Sequence, residues 1–518
     1  MKGVNRREFM KLSAGGLGFL ALDGLGFGKA SAATDQVLNA HIPSALNSID
    51  PAHEISTGDE GRVSILLNNA LMRYAAGERF KLIPDLATGY EVSEGGRVYT
   101  FHLRENVKWH KGYGTFSARD VKYSVERILD PATKSRNARI FGLVGRVEAV
   151  DPMTVRFHLK TPSAIFPHKV ATFRAGFLLS EAAGKELGTD VGKKIVGTGP
   201  FWLEKAVLDQ ELILRRNEEF FGERPRLEKI VFKIIREPST ANLAFERRRL
   251  DLIDVNDRES IERYQHNPDY RFLVGTASTG LFLITFNSKR PPFDNKTVRK
   301  AFQYAIDKKP IVQAVYGPRG RVIDTVVPPG VEGWTDDVPK YPYDPDKAAE
   351  MLAKAGFPKG LTCTLTVPTS YQREAVLLQS QLKRAGITLK LDMIDRPTWF
   401  RSLGGTGHEL LWNAHFRAPV ADAFLFVSYH SANMAPRGIN CAMYDGVDDL
   451  IDRARVTFDE EERAKIYATA IRRIADDSPA IPIVQELNTF VAQKYVKNID
   501  TFRVPENAPV LERAYIEK

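Results

Sequence analysis

A chain of 518 residues can bury a large core and exceeds what a single compact domain usually holds. Its 43 % hydrophobic and 26 % charged content is that of a folded globular protein and excludes a disordered or fibrous chain. The formal charge is +9, of which five cations against two acids sit in the first 32 residues. The remaining excess is scattered rather than gathered in a Lys/Arg block, so composition gives no case for nucleic-acid binding.

The N-terminus reads as an address. Asn5-Arg6-Arg7-Glu8-Phe9-Met10-Lys11 resembles the twin-arginine export box, and a Gly-rich apolar stretch follows over 12–27. Broken by Gly15, Gly16, Gly18 and Asp23, that stretch is too short and too interrupted for a membrane anchor. Ala30-Ser31-Ala32 is a small-residue cleavage site, so residues 1–32 are expected to be removed and the mature protein to be periplasmic. No later run approaches 18 apolar residues. The cysteines are Cys363 and Cys441; an oxidising compartment permits a bond between them, but sequence does not show proximity.

In chain order, 37–40 reads as a short strand, and the Asp50-Pro51 step turns the chain out of it. A helix is expected over 60–71. From 98 to 103 apolar and polar residues alternate, with Tyr99, Phe101 and Leu103 on one side, the period of a half-buried strand. Ser117 and Asp120 then form a capping-box pattern ahead of Val121, Val125, Ile128 and Leu129 on one helical face. A second strand of similar pattern runs over 154–159. Gly197-Thr198-Gly199-Pro200-Phe201 is a tight change of direction in which glycine permits positive φ; with no Lys-Ser/Thr after it, it is not a phosphate loop. Strands are expected at 250–252 and 281–287. Val298, Ala301, Phe302, Ala305 and Ile306 recur at helical spacing after Pro291-Pro292-Phe293-Asp294. Helices are expected from 344, over 373–384 and over 460–475, with strands at 388–393 and 481–484.

Several of these stretches also carry words. Tyr99 to Arg127 (YTFHLRENVKWHKGYGTFSARDVKYSVER), Asn47 to Ala52 (NSIDPA), Gly197 to Phe201 (GTGPF) and Pro291 to Asp307 (PPFDNKTVRKAFQYAID) resemble, in order, signatures of the family 5 solute-binding proteins of ABC importers, the peptide/nickel/opine group. The resemblance spans nearly the whole chain after residue 32. It implies an α/β fold of two lobes hinged by two chain crossings, with mixed sheets and an extra subdomain. The implied division is 33–65, 196–284 and 487–518 in lobe I, 66–195 in the subdomain and 285–486 in lobe II. It also implies a monomeric extracytoplasmic receptor that closes on a peptide-like or small solute and passes it to ABC permease subunits, with no cofactor and no nucleic acid.

The residues themselves point the same way. There is no G-x-S-x-G elbow, no H-E-x-x-H and no paired-Cys metal spacing, and the ten histidines are scattered, His102 and His110 lying in structural positions. The alternative is an exported enzyme or a cofactor-carrying or folding factor on the same scaffold, for which the twin-arginine address is the hint.

One stretch departs from the family. Where peptide-binding members carry an Asp that pairs with the peptide amine, this chain runs Leu411-Trp412-Asn413-Ala414-His415-Phe416-Arg417-Ala418-Pro419-Val420-Ala421-Asp422-Ala423-Phe424-Leu425. Aligned without gaps on Phe424-Leu425, Arg417 takes that position, which reverses the charge and favours a carboxylate or phosphate. Either that holds, or a gap hands the position to Asp422, or Arg417 pairs with an acidic neighbour. His415 lies in the same candidate cleft segment. Trp412, Trp399 and Tyr429 are expected either as stacking walls for a ligand or as core, and Arg136 and Arg139 lie where other members present cations to anionic ligands.

Overall fold

The structure, a computed structural model, describes residues 36–517 apart from 47, 54–57, 78–79, 136, 172–173, 277 and 504–507. The expected signal over 1–32 lies outside the described residues, as do Arg136 and much of the loop after Ala52.

Three larger sheets organise the described chain. The first has seven strands in the order Tyr270–Val274, Thr489–Gln493, Leu252–Asp254, Val37–Ile42, Lys229–Ile234, Glu211–Arg216, Phe201–Val207. Val37–Ile42 runs parallel to both its neighbours while the remaining pairs are antiparallel, so the sheet is mixed. The second has six strands, Gly320–Val322, Ala480–Glu486, Gly280–Phe286, Leu410–Phe416, Leu361–Pro368 and Ile387–Ile394. The third is an antiparallel four-stranded sheet built from Ala87–Ser93, Val98–Leu103, Thr154–Leu159 and Val144–Asp151.

The chain passes between the seven- and six-stranded sheets twice, from Val274 to Gly280 and from Glu486 to Thr489. Gly280–Phe286 is one uninterrupted strand of the six-stranded sheet, so the first passage ends before residue 280 rather than inside that strand at 284. The second falls at 487–488.

Local signals account for many elements. Tyr99, Phe101 and Leu103 are buried while His102 is exposed, as the alternation requires. The helix Ala118–Leu129 begins with a complete capping box: the Ser117 N–H donates to Asp120 Oδ2 at 2.9 Å, a cap that contributes about 1 kcal/mol. Val121, Val125 and Ile128 are buried beneath it.

Two expectations change. The helix expected over 60–71 is Asp59–Leu67, because Asn68 turns both its N–H and its Nδ2 onto the Ser64 carbonyl (2.8 and 3.2 Å). Asn69 and the Ala70 N–H then turn to the buried Asp85 carboxylate. The helix expected to open at Pro291 begins at Lys296, where Asn295 accepts from the Thr297 N–H at 2.8 Å. It ends at Tyr304, and Asp307 caps a separate helix, Lys308–Val315.

The Gly197–Phe201 turn owes its glycines to close approach rather than to φ, since neither Gly197 nor Gly199 has a positive φ. A β-carbon on Gly197 would lie 1.9 Å from the Leu67 carbonyl oxygen, and one on Gly199 2.5 Å from that of Leu66. His110 locks this turn: Gly197 N–H donates to Nδ1 at 3.3 Å, so the ring proton sits on Nε2 and is donated to the Gly199 carbonyl at 3.0 Å. Burial pushes its pKa down to about 4, with Lys111 adding and the Gly199 hydrogen bond opposing.

Cys363 and Cys441 are both free and buried, Cys363 in the core over the outer helices and Cys441 beside Trp399 and Leu411.

Two outcomes follow. Gly197→Ala forces backbone against backbone and should lower unfolding free energy by about 3 kcal/mol in urea titrations. Because the folded His110 pKa lies below the free value of 6.5, its contribution is complete above that pH and is lost as pH falls toward about 4. His110→Gln should therefore flatten the acid limb of a pH series of melting temperatures, by up to about 3 kcal/mol.

Candidate functional site

The segment that departs from the family begins on the strand Leu410–Phe416, which pairs antiparallel with Gly280–Phe286 so that Ile284 faces Trp412 and Leu281 faces His415. Successive side chains of a strand point to opposite faces, so Trp412 and His415, three residues apart, cannot share one. Trp412 is fully buried on the face with Phe302, Leu378 and Ile481. Its ring lies 6.3 Å from Phe282 and 5.6 Å from Tyr371. That is a core position. Trp399 is also buried, packed against Leu411 and Cys441, and its indole N–H donates to the Trp412 carbonyl at 2.7 Å.

His415 turns to the other face, toward the helix Ala421–Tyr429. Its Nε2 is 3.3 Å from Ser428 Oγ and its ring 6.4 Å from Phe424. It is 1 % exposed, and among the described residues Nδ1 has no hydrogen-bond partner. Burial holds its pKa well below the usual histidine value and the positive field of Arg417 lowers it further, so the ring is neutral. The Ser428 hydroxyl can donate to Nε2 or accept from it, so Nδ1 offers a donor in one tautomer and an acceptor in the other.

Tyr429, at the end of the same helix, is 1 % exposed, and its hydroxyl likewise has no partner among the described residues. Burial raises its pKa and Arg417 opposes the rise. Cys441, buried nearby, has its thiol pushed up to about 12 by burial, again against the field of Arg417. Arg417, one residue past the strand and half-buried, thus acts electrostatically on His415, Tyr429 and Cys441 together. The arrangement brings together a neutral imidazole, a phenol O–H and a guanidinium. A group rich in acceptor oxygens is what such a set can hold.

The other candidates flank this cluster. Asp422 is 2 % exposed and forms an ion pair with Arg455 Nε at 3.2 Å, so a cation of the protein already matches it. Arg139 reaches from the subdomain to donate from Nη2 to Asn433 Oδ1 at 3.4 Å, and Asn433 is held by its own Nδ2 on the Phe426 carbonyl at 2.9 Å. Ser428, on the helix Ala421–Tyr429, and Asn433 and Cys441, after it, carry no sequence signal. Among the described residues no three His, Cys, Asp or Glu side chains gather so as to hold a metal ion.

With this geometry in view, the comparisons are decisive. The family model described as bacterial extracellular solute-binding proteins, family 5 middle, matches residues 81–436. The chain belongs to that family. The dipeptide-binding protein of Escherichia coli strain K12 is 28 % identical over 466 residues, 84 % of this chain and 86 % of that protein. Among solved structures, MoaA of A. tumefaciens R10, in complex with mannopinic acid, superposes with a TM-score of 0.78 at 28 % identity, covering 93 % of this chain and 99 % of that one. The ABC transporter-associated periplasmic binding protein DppA of Helicobacter pylori, in complex with the peptide STSA, does so with a TM-score of 0.78 at 26 % identity over 93 % and 98 %. This family 5 member has the two-lobed α/β fold of periplasmic binding proteins. It is a periplasmic receptor rather than an enzyme, and it hands a bound solute to an ABC importer.

Because the Tyr429 hydroxyl has no partner among the described residues, Tyr429→Phe should leave the melting temperature unchanged or slightly raised. A loss above about 1 kcal/mol would give that hydroxyl a structural role instead.

Proposed function

We propose that this receptor captures a small anionic or peptide-like solute between its lobes and presents a solute carboxylate, or a comparable acceptor group, to Arg417, His415 and Tyr429. The observation that carries this reading is a pair of buried polar groups, His415 Nδ1 and the Tyr429 hydroxyl, that have no hydrogen-bond partner among the described residues and lie in the field of the Arg417 guanidinium. Each such group left dry costs about 1–3 kcal/mol, a cost that a bound acceptor reverses. Relatives described as binding a dipeptide, glutathione and mannopinic acid support this range of solutes, all of which bear carboxylates.

On this reading Arg139 and Asn433 close one side of the cleft, while Trp399 and Trp412 stiffen its floor from the core. Asp422 is outside the contact set, matched by Arg455. The lobes divide as the family resemblance implies, 33–65 with 196 to the first crossing and 487–518 against the segment between the crossings, with 66–195 as the subdomain. The receptor leaves the cytoplasm by the twin-arginine route and then loses residues 1–32, for which Arg6-Arg7 and Ala30-Ser31-Ala32 are the support.

Native mass spectrometry of the purified protein should reveal a carried-over small molecule bearing a carboxylate. In tryptophan-fluorescence titrations with dipeptides, glutathione and mannopinate, Arg417→Asp should weaken whichever solute binds by about 100-fold, near 3 kcal/mol. Unaltered affinity would remove Arg417 from the site.

A further inference from the structure

Where the subdomain meets the seven-stranded side, the chain leaves a cavity of about 880 Å³, open to solvent, between Asn68, Arg73, Arg104 and the loop Phe220-Phe221-Gly222. Its size is that of a small-molecule site. Every residue that lines it lies before 224 or after 502, so none belongs to the six-stranded half that carries His415, Arg417 and Tyr429.

Four guanidiniums and three carboxylates line this cavity, an excess of one positive charge. Arg503 is ion-paired with Glu512, and Arg513 more loosely with Glu223 at 3.7 Å. Asp85 is buried and takes its hydrogen bonds from neutral donors: Asn69 Nδ2 reaches both carboxylate oxygens, at 3.0 and 3.1 Å, and the Ala70 N–H reaches one of them at 3.1 Å. Two guanidiniums remain. That of Arg73, half-buried on the strand Met72–Tyr74, makes no hydrogen bond or ion pair among the described residues, and its field falls on Asp85. Arg104 donates from Nε to the Asp85 carbonyl at 3.1 Å and lies 5.2 Å over the Phe221 ring, which leaves its terminal nitrogens without an acceptor among the described residues. Asp85 thus stands between Arg73 and Arg104 and offsets the charge of only one.

The rest of the lining differs in kind. Phe220 and Phe221 are half-buried, their rings 4.8 Å apart. A β-carbon on Gly222 would lie 2.7 Å from Phe220 Cε1, so glycine there makes room for that ring. Asn68 lines the same cavity at 1 % exposure, and while its Nδ2 donates to the Ser64 carbonyl, its Oδ1 has no hydrogen-bond partner among the described residues. An unmet buried acceptor calls for a donor.

We propose that this cavity is a second binding site, for a small organic acid: its carboxylate on the Arg73 and Arg104 guanidiniums, its apolar body on Phe220 and Phe221, and an O–H or N–H beside the carboxylate for the Asn68 amide oxygen. Guanidiniums hold carboxylates through charge-assisted hydrogen bonds, and the aromatic rings give the remainder of the molecule a surface that water does not contest. The single excess charge matches one carboxylate; a phosphate dianion would bring a second negative charge next to Asp85. An α-hydroxy or α-amino acid with an aromatic side chain has all three parts. The site owes nothing to Arg417, so it stands or falls separately from the solute reading of the cleft.

Isothermal titration calorimetry with mandelate and with phenylalanine, on the wild type and on Arg417→Asp, decides it. At least one of these probes should bind both proteins with the same affinity, and Arg73→Gln should weaken that binding about tenfold. Inorganic phosphate should not displace the probe. Should Arg73→Gln impair folding, Phe220→Leu, at a half-buried ring, should weaken the same probe several-fold. The second site is overturned if neither probe binds, if the probe is lost in Arg417→Asp and so belongs to the cleft, if the folded Arg73 and Phe220 variants bind as the wild type does, or if phosphate competes.

Discussion

The strand Gly280–Phe286 is hydrogen-bonded along both edges, to Leu410–Phe416 on one side and Ala480–Glu486 on the other, and all seven of its residues are buried. Alternation along it divides the six-stranded half into two cores, one with Phe282, Ile284 and Phe286 and one with Leu281 and Leu283. Its neighbour inherits the same division. That is why Trp412 belongs to a packed interior while His415 faces the helix that ends in Tyr429. Were the register displaced by one residue, the imidazole would enter the apolar core and the indole would take its place, so the site depends on this pairing before it depends on any contact with a solute.

Much of this was legible in the residues. Periodicity identified the strand of Tyr99 and Phe101, and the Ser117–Asp120 pair announced its helix, because both signals act over a few residues and need no distant partner. The misreadings arose where a distant partner decides. The helix after Asp59 stops early because Asn68 and Asn69 find Ser64 and Asp85. Gly197 and Gly199 are required by carbonyls 130 or more positions away, not by their own backbone angles. The sequence offered Trp412 and His415 together as candidates, and strand pairing with Gly280–Phe286 puts them on opposite faces. That Ser428 would meet His415 was not legible, since no local pattern links a helix to the strand it packs on.

The buried histidines show how the protein keeps its interior free of surplus charge. His110, His168 and His415 are all pushed toward the neutral form by burial, and a nearby cation pushes each further the same way. As neutral rings they have one donor and one acceptor, which His110 uses completely in holding the Gly197 turn. His415 uses one side on Ser428, and its other nitrogen has no hydrogen-bond partner among the described residues. What separates the two rings is whether the second nitrogen finds a protein atom.

The two thiols have a consequence of their own. Cys363 and Cys441 lie on opposite sides of the six-stranded sheet, each buried, with burial pushing both pKa values up to about 12. Neither is ionised to any extent at neutral pH, so alkylating reagents find no nucleophile while the sheet is intact. Each sulfur becomes reactive only when its own layer comes apart. The chain thus carries two native reporters of local unfolding, one per face, and their relative labelling rates would order the loss of the two layers without any added probe.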